Sequence, residues 1–119
     1  MKILLIEPDE YYHHHFGQAL SSLGELRISP DAGSVAGILQ EGKPDAIVME
    51  ILLPDRPGYE ILEEIRKSEE HQNVPVIIFS KVGNLEDIQE SLRYGIAGYF
   101  VKGQDGVHDV KKLLLALSF

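Results

Sequence analysis

The chain has 119 residues, of which 44% are hydrophobic, and this is enough to bury the core of one domain over residues 1–119. It contains no cysteine, which excludes a disulfide framework and a thiolate metal site. A net charge of −8 argues against direct nucleic-acid binding, and no apolar run approaches the ~20 residues of a membrane span. The start lacks the cleavage site of a signal peptide, so we expect a cytoplasmic protein.

Short apolar runs rich in β-branched residues predict five strands along the chain. The first and fourth runs are apolar throughout, which is typical of central strands that are covered on both faces. The predicted strands are residues 3–6, 26–28, 46–49, 76–79 and 98–101.

Between these runs, apolar residues recur at helical spacing and predict five helices. The first ends at Gly24, the second covers residues 34–41, and the fourth begins at Asn84, a favoured N-cap residue, and ends at Gly95. Strands that alternate with helices predict an α/β protein with a parallel sheet. The residues expected to face the core are Tyr12, Phe16, Ala19, Leu20 and Leu23, then Ile61, Leu62 and Ile65, then Ile88 and Leu92, and finally Val107, Val110, Leu113, Leu114 and Leu117.

The stretch YYHHHF, residues 11–16, lies in the first predicted helix. Consecutive histidines on a helix point about 100° apart, so these three do not converge on one ion. None has another histidine at i+4, which is the spacing of helical zinc sites. We expect His13 and His14 to be solvated and His15 to lie at the margin of the core.

Polar residues stand where four of the predicted strands end. Glu7 follows the first strand, Glu50 ends the third, Ser80 and Lys81 close the fourth, and Lys102 closes the fifth. The carboxyl ends of parallel strands meet at one edge of an open sheet, which is where sites form in such folds. We therefore expect these side chains to lie close together.

Four segments resemble the response-regulator receiver domain of bacterial two-component signalling, a CheY-like family. They are KILLIEPDE at the first strand, PDAIVMEILLPDRPGYEILEEIR around the third, VPVIIFS at the fourth and LRYGIAGYFVK through the fifth. The resemblance covers essentially the whole chain. It implies a flavodoxin-like, doubly wound (βα)5 sandwich with a five-stranded parallel sheet of order 2-1-3-4-5.

The resemblance also implies roles for the residues at the strand ends. The phosphoacceptor position of the family falls on Glu50, and the acid pair that binds Mg²⁺ falls on Glu7 and Pro8. The conserved lysine falls on Lys102. In the family, an aspartate takes a phosphoryl group from a phosphohistidine, and Mg²⁺ and the lysine neutralise the phosphoryl charge.

The switch residues of the family fall on Ser80 and Tyr99. The family's hydroxyl follows the phosphoryl group and repacks the face made by the fourth helix, fifth strand and fifth helix. On the residues alone, Tyr99 is explained equally well as a strand aromatic that covers the sheet edge. We expect a protein partner on this face, either a sensor kinase or an output domain, with a homodimer as a further option. Leu115 and Phe119 would suit such a surface, although terminal packing explains this pair as well.

Several residues depart from the family pattern at the acidic pocket. Glu50 has one more methylene than aspartate, which moves its carboxylate by about one bond length, and phosphoryl transfer depends on positioning at that scale. Pro8 offers no carboxylate to Mg²⁺, so Glu7 and Glu50 leave weak binding at most. We expect Asp9 to be the N-cap or a first-turn acid of the first helix and not a substitute ligand.

Two further departures flank the pocket. Lys81 stands where the family usually has a small residue, and a long cation there would crowd the pocket or pair with Glu50. Gly103 follows Lys102, where the family usually has a cis proline. Without that proline nothing in the sequence fixes a cis bond, so we expect a looser or differently shaped loop.

These departures favour a degenerate receiver that acts by protein contact without phosphorylation, is not an enzyme and needs no cofactor. Glu50 would supply a permanent negative charge that pairs with Lys102 or Lys81, because an unpaired buried carboxylate takes up a proton. Two alternatives stay open. One is a working phosphoacceptor with Mg²⁺-dependent transfer from a histidine kinase, and the other is a flavodoxin-like ligand-binding domain.

Overall fold

The computed structural model describes residues 1–117. Five parallel strands form one sheet in the order β2-β1-β3-β4-β5, which confirms the predicted fold class and strand order. The strands are β1 (Lys2–Ile6), β2 (Glu25–Ser29), β3 (Ala46–Met49), β4 (Val76–Ser80) and β5 (Gly98–Val101). The helices are α1 (Glu10–Leu20), α2 (Val35–Gln40), α3 (Gly58–Lys67), α4 (Leu85–Leu92) and α5 (Val107–Ala116).

Buried apolar side chains cover both faces of the sheet. Along β1, Leu4 and Ile6 belong to one core cluster and Ile3 and Leu5 to the other, as the two-residue period of a strand requires. The first cluster packs against α2 and α3, and the second packs against α1 and α5. The buried helical residues are Val35, Ile61, Leu62 and Ile65 in the first cluster, and Phe16, Leu20, Val110 and Leu114 in the second.

Helix α4 buries less apolar surface than its sequence predicts. The inward position predicted for Leu92 is wrong, because this residue is 59% exposed, and Leu85 is 68% exposed. The residue that α4 buries is Ser91, and Ile88 is half-buried. The inward face of α4 therefore carries a serine where the spacing predicted a leucine, and little apolar side-chain area of α4 packs against the rest of the domain.

Two helices begin at side-chain caps. The carboxylate of Asp9 accepts from the N–H of Tyr11 at 2.9 Å, which confirms its predicted place at the start of α1. The side chain of Asn84 accepts from the N–H of Asp87 at 3.0 Å and caps α4, also as predicted. Each cap satisfies a backbone donor that has no partner inside its own helix. Within residues 1–117, none of the helices is both long and apolar enough to span a bilayer.

The histidines of α1 differ in their surroundings. His14 is exposed and His15 is half-buried, as the helical spacing predicts. The prediction that His13 is solvated is wrong, because it is half-buried and its Nε2 lies 2.5 Å from the carbonyl oxygen of Glu7. A carbonyl oxygen only accepts hydrogen bonds, so Nε2 of His13 is protonated and donates a hydrogen bond to the carbonyl of Glu7.

Gly58 begins α3 at a point where two backbones touch. Its N–H donates to the carbonyl oxygen of Ile51 at 2.8 Å. A Cβ atom at Gly58 would lie 2.7 Å from the Cα of Ile51 and 3.0 Å from the carbonyl oxygen of Glu50. Only glycine permits this approach, which holds the start of α3 against the backbone of Glu50 and Ile51, just after β3 ends.

Replacing Gly58 by alanine tests this contact. We expect Gly58→Ala to lower the free energy of unfolding by about 2 kcal/mol, because the new methyl group meets backbone atoms that have no room to move. The measurement is urea denaturation at equilibrium. Gly37→Ala in α2 is the matched control, since a Cβ atom there meets no heavy atom within 4 Å. Equal effects of the two substitutions would contradict the proposed close contact.

Candidate functional site

Four polar residues converge at the carboxyl edge of the sheet. Glu7 follows β1, Glu50 follows β3, Ser80 ends β4 and Lys102 follows β5. All four side chains are buried, and Glu7 and Glu50 are 1% and 2% exposed. Buried ionised groups are stable only when they are paired and hydrogen-bonded. The partners of each group therefore define what the site does.

A single ammonium group lies between the two carboxylates. The Nζ of Lys102 is 2.7 Å from Oε1 of Glu7 and 3.0 Å from Oε1 of Glu50. It also lies 4.4 Å from the ring centroid of Tyr12, within the range of a cation–π contact. Lys102 thus joins the ends of β1, β3 and β5, and we call Glu7, Lys102 and Glu50 the ion-pair cluster.

The carboxylate of Glu50 is fully occupied by hydrogen-bond donors. Its Oε2 accepts from the backbone N–H of Ile51 at 2.6 Å and of Leu52 at 3.1 Å. Its Oε1 accepts from the N–H of Lys81 at 3.1 Å and from Nζ of Lys102. The additional methylene of glutamate lets one oxygen turn back towards its own backbone while the other reaches across the sheet edge.

Both the side chain and the backbone of Glu7 make hydrogen bonds. Its Oε2 accepts from the N–H of Asp9 at 3.0 Å, and its Oε1 contacts Lys102. Its backbone N–H donates to the carbonyl oxygen of Ser29, and its own carbonyl accepts from His13. The hydrogen bond from His13 was not predicted from the sequence. Its only signal there is that His13 lies one helical turn after the N-cap Asp9, and so near the chain at Glu7.

The two carboxylates respond differently to the same neighbourhood. Burial raises the pKa of Glu7, and its hydrogen bonds to Lys102 and Asp9 do not offset this, so the pKa stays above the usual value. Burial acts on Glu50 as well, but the Ser80 hydroxyl, the Leu52 N–H and Lys102 together lower its pKa below the usual value. Glu50 is therefore the more firmly ionised of the pair.

The pKa of Lys102 shows that the cluster favours the charged ammonium. Burial by itself lowers the pKa of Lys102. The hydrogen bond to Glu7 and the charges of Glu7 and Glu50 outweigh burial and raise the pKa above its usual value. Lys102 is thus a permanent cation at this edge.

Lys81 and Pro8 lie at the surface of the site. Both residues are exposed, and Lys81 reaches Glu50 through its backbone N–H. Of the two lysines expected as partners of Glu50, Lys102 is the one whose ammonium pairs with it among the described residues.

Ser80 and Tyr99 both contact the loop that joins β4 to α4. The hydroxyl oxygen of Ser80 accepts from the N–H of Val82 at 3.0 Å, and the hydroxyl of Tyr99 donates to the carbonyl of the same residue. Burial raises the pKa of Tyr99 to about 12, so its hydroxyl keeps its proton and remains a donor. The two predicted switch residues are thus brought to one loop residue, Val82.

The loop after β5 has a defined shape. No peptide bond within residues 1–117 is cis, and Gly103 adopts a φ of 90°, which favours glycine. The carboxylate of Asp105 accepts from the N–H of Val101 at 2.8 Å, and the N–H of Asp105 donates back to the carbonyl of Val101 at 2.8 Å. These two hydrogen bonds close the loop, so the expectation of a looser loop is not supported.

The site does not fit Mg²⁺. Every carboxylate oxygen of Glu7 and Glu50 already accepts a hydrogen bond or contacts Lys102. Pro8 has no side-chain ligand, and residues 1–117 contain no group of three acidic or histidine side chains suited to a metal ion. An ion shared by the two carboxylates would compete with the ammonium of Lys102, which the same carboxylates hold.

Comparison with known proteins assigns this chain to a family. The model of the response regulator receiver domain matches residues 3–113. The chain belongs to this family. It is a receiver domain of two-component signalling, and receivers of this family interact with sensor histidine kinases and output domains.

One relative and two structural neighbours indicate how this receiver compares with others. The transcriptional regulatory protein MalR of Bacillus subtilis is 30% identical over 105 residues, which are 86% of this chain and 44% of MalR. The magnesium-bound receiver domain of sensor histidine kinase PA1611 from Pseudomonas aeruginosa is 26% identical, with a TM-score of 0.82 over 97% of this chain and 94% of that one. CheY4 of Vibrio cholerae shares the fold, at 20% identity and a TM-score of 0.81, with 98% and 94% covered. The chain spans less than half the length of the curated relatives it matches.

The opposite pKa shifts of the two glutamates predict opposite pH dependence for their amide variants. The pKa of Glu50 is lowered, so Glu50 contributes stability above its unfolded pKa of about 4.3 and loses it as the pH falls through the folded value. The pKa of Glu7 is raised, so its contribution is present below the unfolded value and is lost as the pH rises through the folded one.

We therefore expect the stability gap between wild type and Glu50→Gln to widen as the pH rises from roughly 3.5 to 7. The gap between wild type and Glu7→Gln should narrow over the same interval. The measurement is the free energy of urea unfolding at each pH. The two isosteric variants are controls for each other, and parallel pH profiles would rule out this charge assignment.

Proposed function

We propose that this chain is a cytoplasmic receiver domain that signals through protein contacts, without phosphorylation and without catalytic activity of its own. The observation that carries the proposal is the ion-pair cluster. The group that occupies the acceptor position is a buried carboxylate that is ionised, paired and hydrogen-bonded on both of its oxygens. A phosphoacceptor needs the reverse, which is an oxygen free to attack a phosphorus atom in line with the leaving group.

Attack by Glu50 would require breaking contacts that nothing in the site replaces. Oε2 would have to leave the N–H groups of Ile51 and Leu52, or Oε1 would have to leave Lys81 and Lys102. The incoming phosphoryl group would add negative charge beside Glu7, and the residues present do not hold the metal ion that spreads this charge in phosphoryl transfer. The same contacts that stabilise the ionised carboxylate of Glu50 thus oppose its attack on a phosphoryl group.

Glu50 also makes contacts that would keep the neighbouring loop in one arrangement. Its Oε1 holds the N–H of Lys81 at the start of the β4–α4 loop, and Tyr99 and Ser80 bond to Val82 one residue later. In this proposal, the fixed charge of Glu50 does what a phosphoryl group does in other receivers. The output surface would then be held constantly and would be read by a partner that binds it.

The face formed by α4, β5 and α5 is the surface that we propose for this partner. Leu85, Leu92 and Leu115 are 68%, 59% and 56% exposed. Leu85 and Leu92 stand two turns apart on one face of α4, and contiguous exposed apolar residues mark protein-binding surfaces. Phe119, the expected neighbour of Leu115, lies outside the described residues. A sensor kinase, an output domain or a second copy of the chain would each bury these leucines.

Treatment with a small phosphodonor tests the proposal directly. We expect the intact mass of the protein to stay unchanged after incubation with acetyl phosphate and Mg²⁺, because neither oxygen of Glu50 is free. A receiver with aspartate at the acceptor position, treated in parallel, is the positive control. A stable gain of about 80 Da that disappears in Glu50→Gln would instead establish Glu50 as an acceptor.

A further inference from the structure

We propose that a hydrogen bond from Tyr59 of α3 holds α4 on the domain, and that breaking it lets α4 open as a unit while the sheet stays folded. The hydroxyl of Tyr59 donates to the carbonyl oxygen of Asp87, in the first turn of α4, at 3.0 Å. Burial raises the pKa of Tyr59, so this hydroxyl keeps its proton and remains a donor. Within residues 1–117, no other side chain from another helix or strand is hydrogen-bonded to α4.

The face that α4 turns towards Tyr59 is polar. Ser91 is the buried residue of α4, and its hydroxyl donates to the carbonyl oxygen of Asp87 at 2.9 Å. The hydroxyl oxygens of Ser91 and Tyr59 lie 3.4 Å apart, and Ile88 is only half-buried. A hydrogen bond weakens steeply when its distance or angle changes, whereas apolar packing has no preferred direction. The Tyr59 contact therefore fixes α4 in one position, and little apolar burial would hold the helix without it.

A second residue of α3 fixes the segment that follows α4. Arg66 lies two turns after Tyr59 and thus on the same face of α3. Its Nε donates to the carbonyl oxygen of Tyr94 at 2.6 Å, and its Nη1 donates to that of Val74, in the segment before β4, at 2.9 Å. The chain just after α4 is therefore anchored by Arg66, whereas the first turn of α4 depends on Tyr59. Loss of the Tyr59 contact would free the helix while this second anchor stays in place.

The Tyr59 contact is built on the segment that Glu50 orders. Gly58, the residue before Tyr59, donates to the carbonyl oxygen of Ile51 at 2.8 Å, and the N–H of Ile51 donates to the Glu50 carboxylate at 2.6 Å. The acceptor position is thus connected to α4 through α3, by contacts that involve neither of the two switch positions. The further step, that this contact sets how often a partner finds the α4 surface in place, rests on the function proposed above. The contact itself does not.

Native-state hydrogen exchange, resolved by residue with nuclear magnetic resonance, tests the proposal. We expect Tyr59→Phe, which removes only the hydroxyl, to speed the exchange of the α4 amides about fivefold, because the closed state loses one hydrogen bond. Tyr94→Phe is the matched control, since the hydroxyl of Tyr94 makes no hydrogen bond within residues 1–117. It should leave the exchange of α4 unchanged. Equal acceleration by the two variants, or none by Tyr59→Phe, would overturn the proposal.

A core variant separates the opening of α4 from unfolding of the whole domain. Ile3 of β1 is 1% exposed and belongs to the core cluster that packs against α1 and α5, away from Tyr59. Ile3→Val should speed the exchange of the slowest sheet amides about fivefold and leave that of α4 unchanged, because α4 opens while β1 stays folded. If α4 exchange rises by the same factor as sheet exchange, α4 unfolds only with the domain and the proposal fails. Neither result depends on phosphorylation, so the mass measurement tests the proposed function separately.

Discussion

The structure depends on one buried ammonium that is shared by two buried carboxylates. Lys102 joins three strand ends through Glu7 and Glu50, and each of these groups would be an unpaired charge in a dry environment if the others were absent. Breaking such a cluster by removing one partner costs about 3–5 kcal/mol in other proteins. The cluster is thus a structural constraint at the place where a phosphorylated receiver would need empty space and a metal ion.

The length of one side chain explains how the constraint is met. Glutamate at position 50 directs one oxygen to the N–H groups of the next two residues and the other oxygen to Lys102 and the N–H of Lys81. Gly58 contributes from the opposite side, because the start of α3 packs directly on the backbone at Ile51. A single methylene and a missing methyl group therefore shape a site whose fold is otherwise that of its family.

The sequence predicts those parts of this molecule that depend on local pattern. The parallel sheet and the convergence of Glu7, Glu50 and Lys102 follow from apolar runs that end in polar residues, since parallel strands share an edge. The strand order followed instead from the resemblance to the receiver family. The position of Leu92 was mispredicted, because helical spacing identifies a stripe but not which neighbouring element covers it. The choice of Lys102 over Lys81 and the bond from His13 depend on distances across the fold, which residue order alone does not contain.

The small apolar area that α4 buries has a thermodynamic consequence for this receiver. A helix that buries a serine while its leucines face solvent gains little free energy of packing from the rest of the domain, so its local unfolding costs little free energy. A protein that covers those leucines would supply the missing burial. Recognition and ordering of α4 then become one linked equilibrium, in which the concentration of the partner sets how firmly the helix is held.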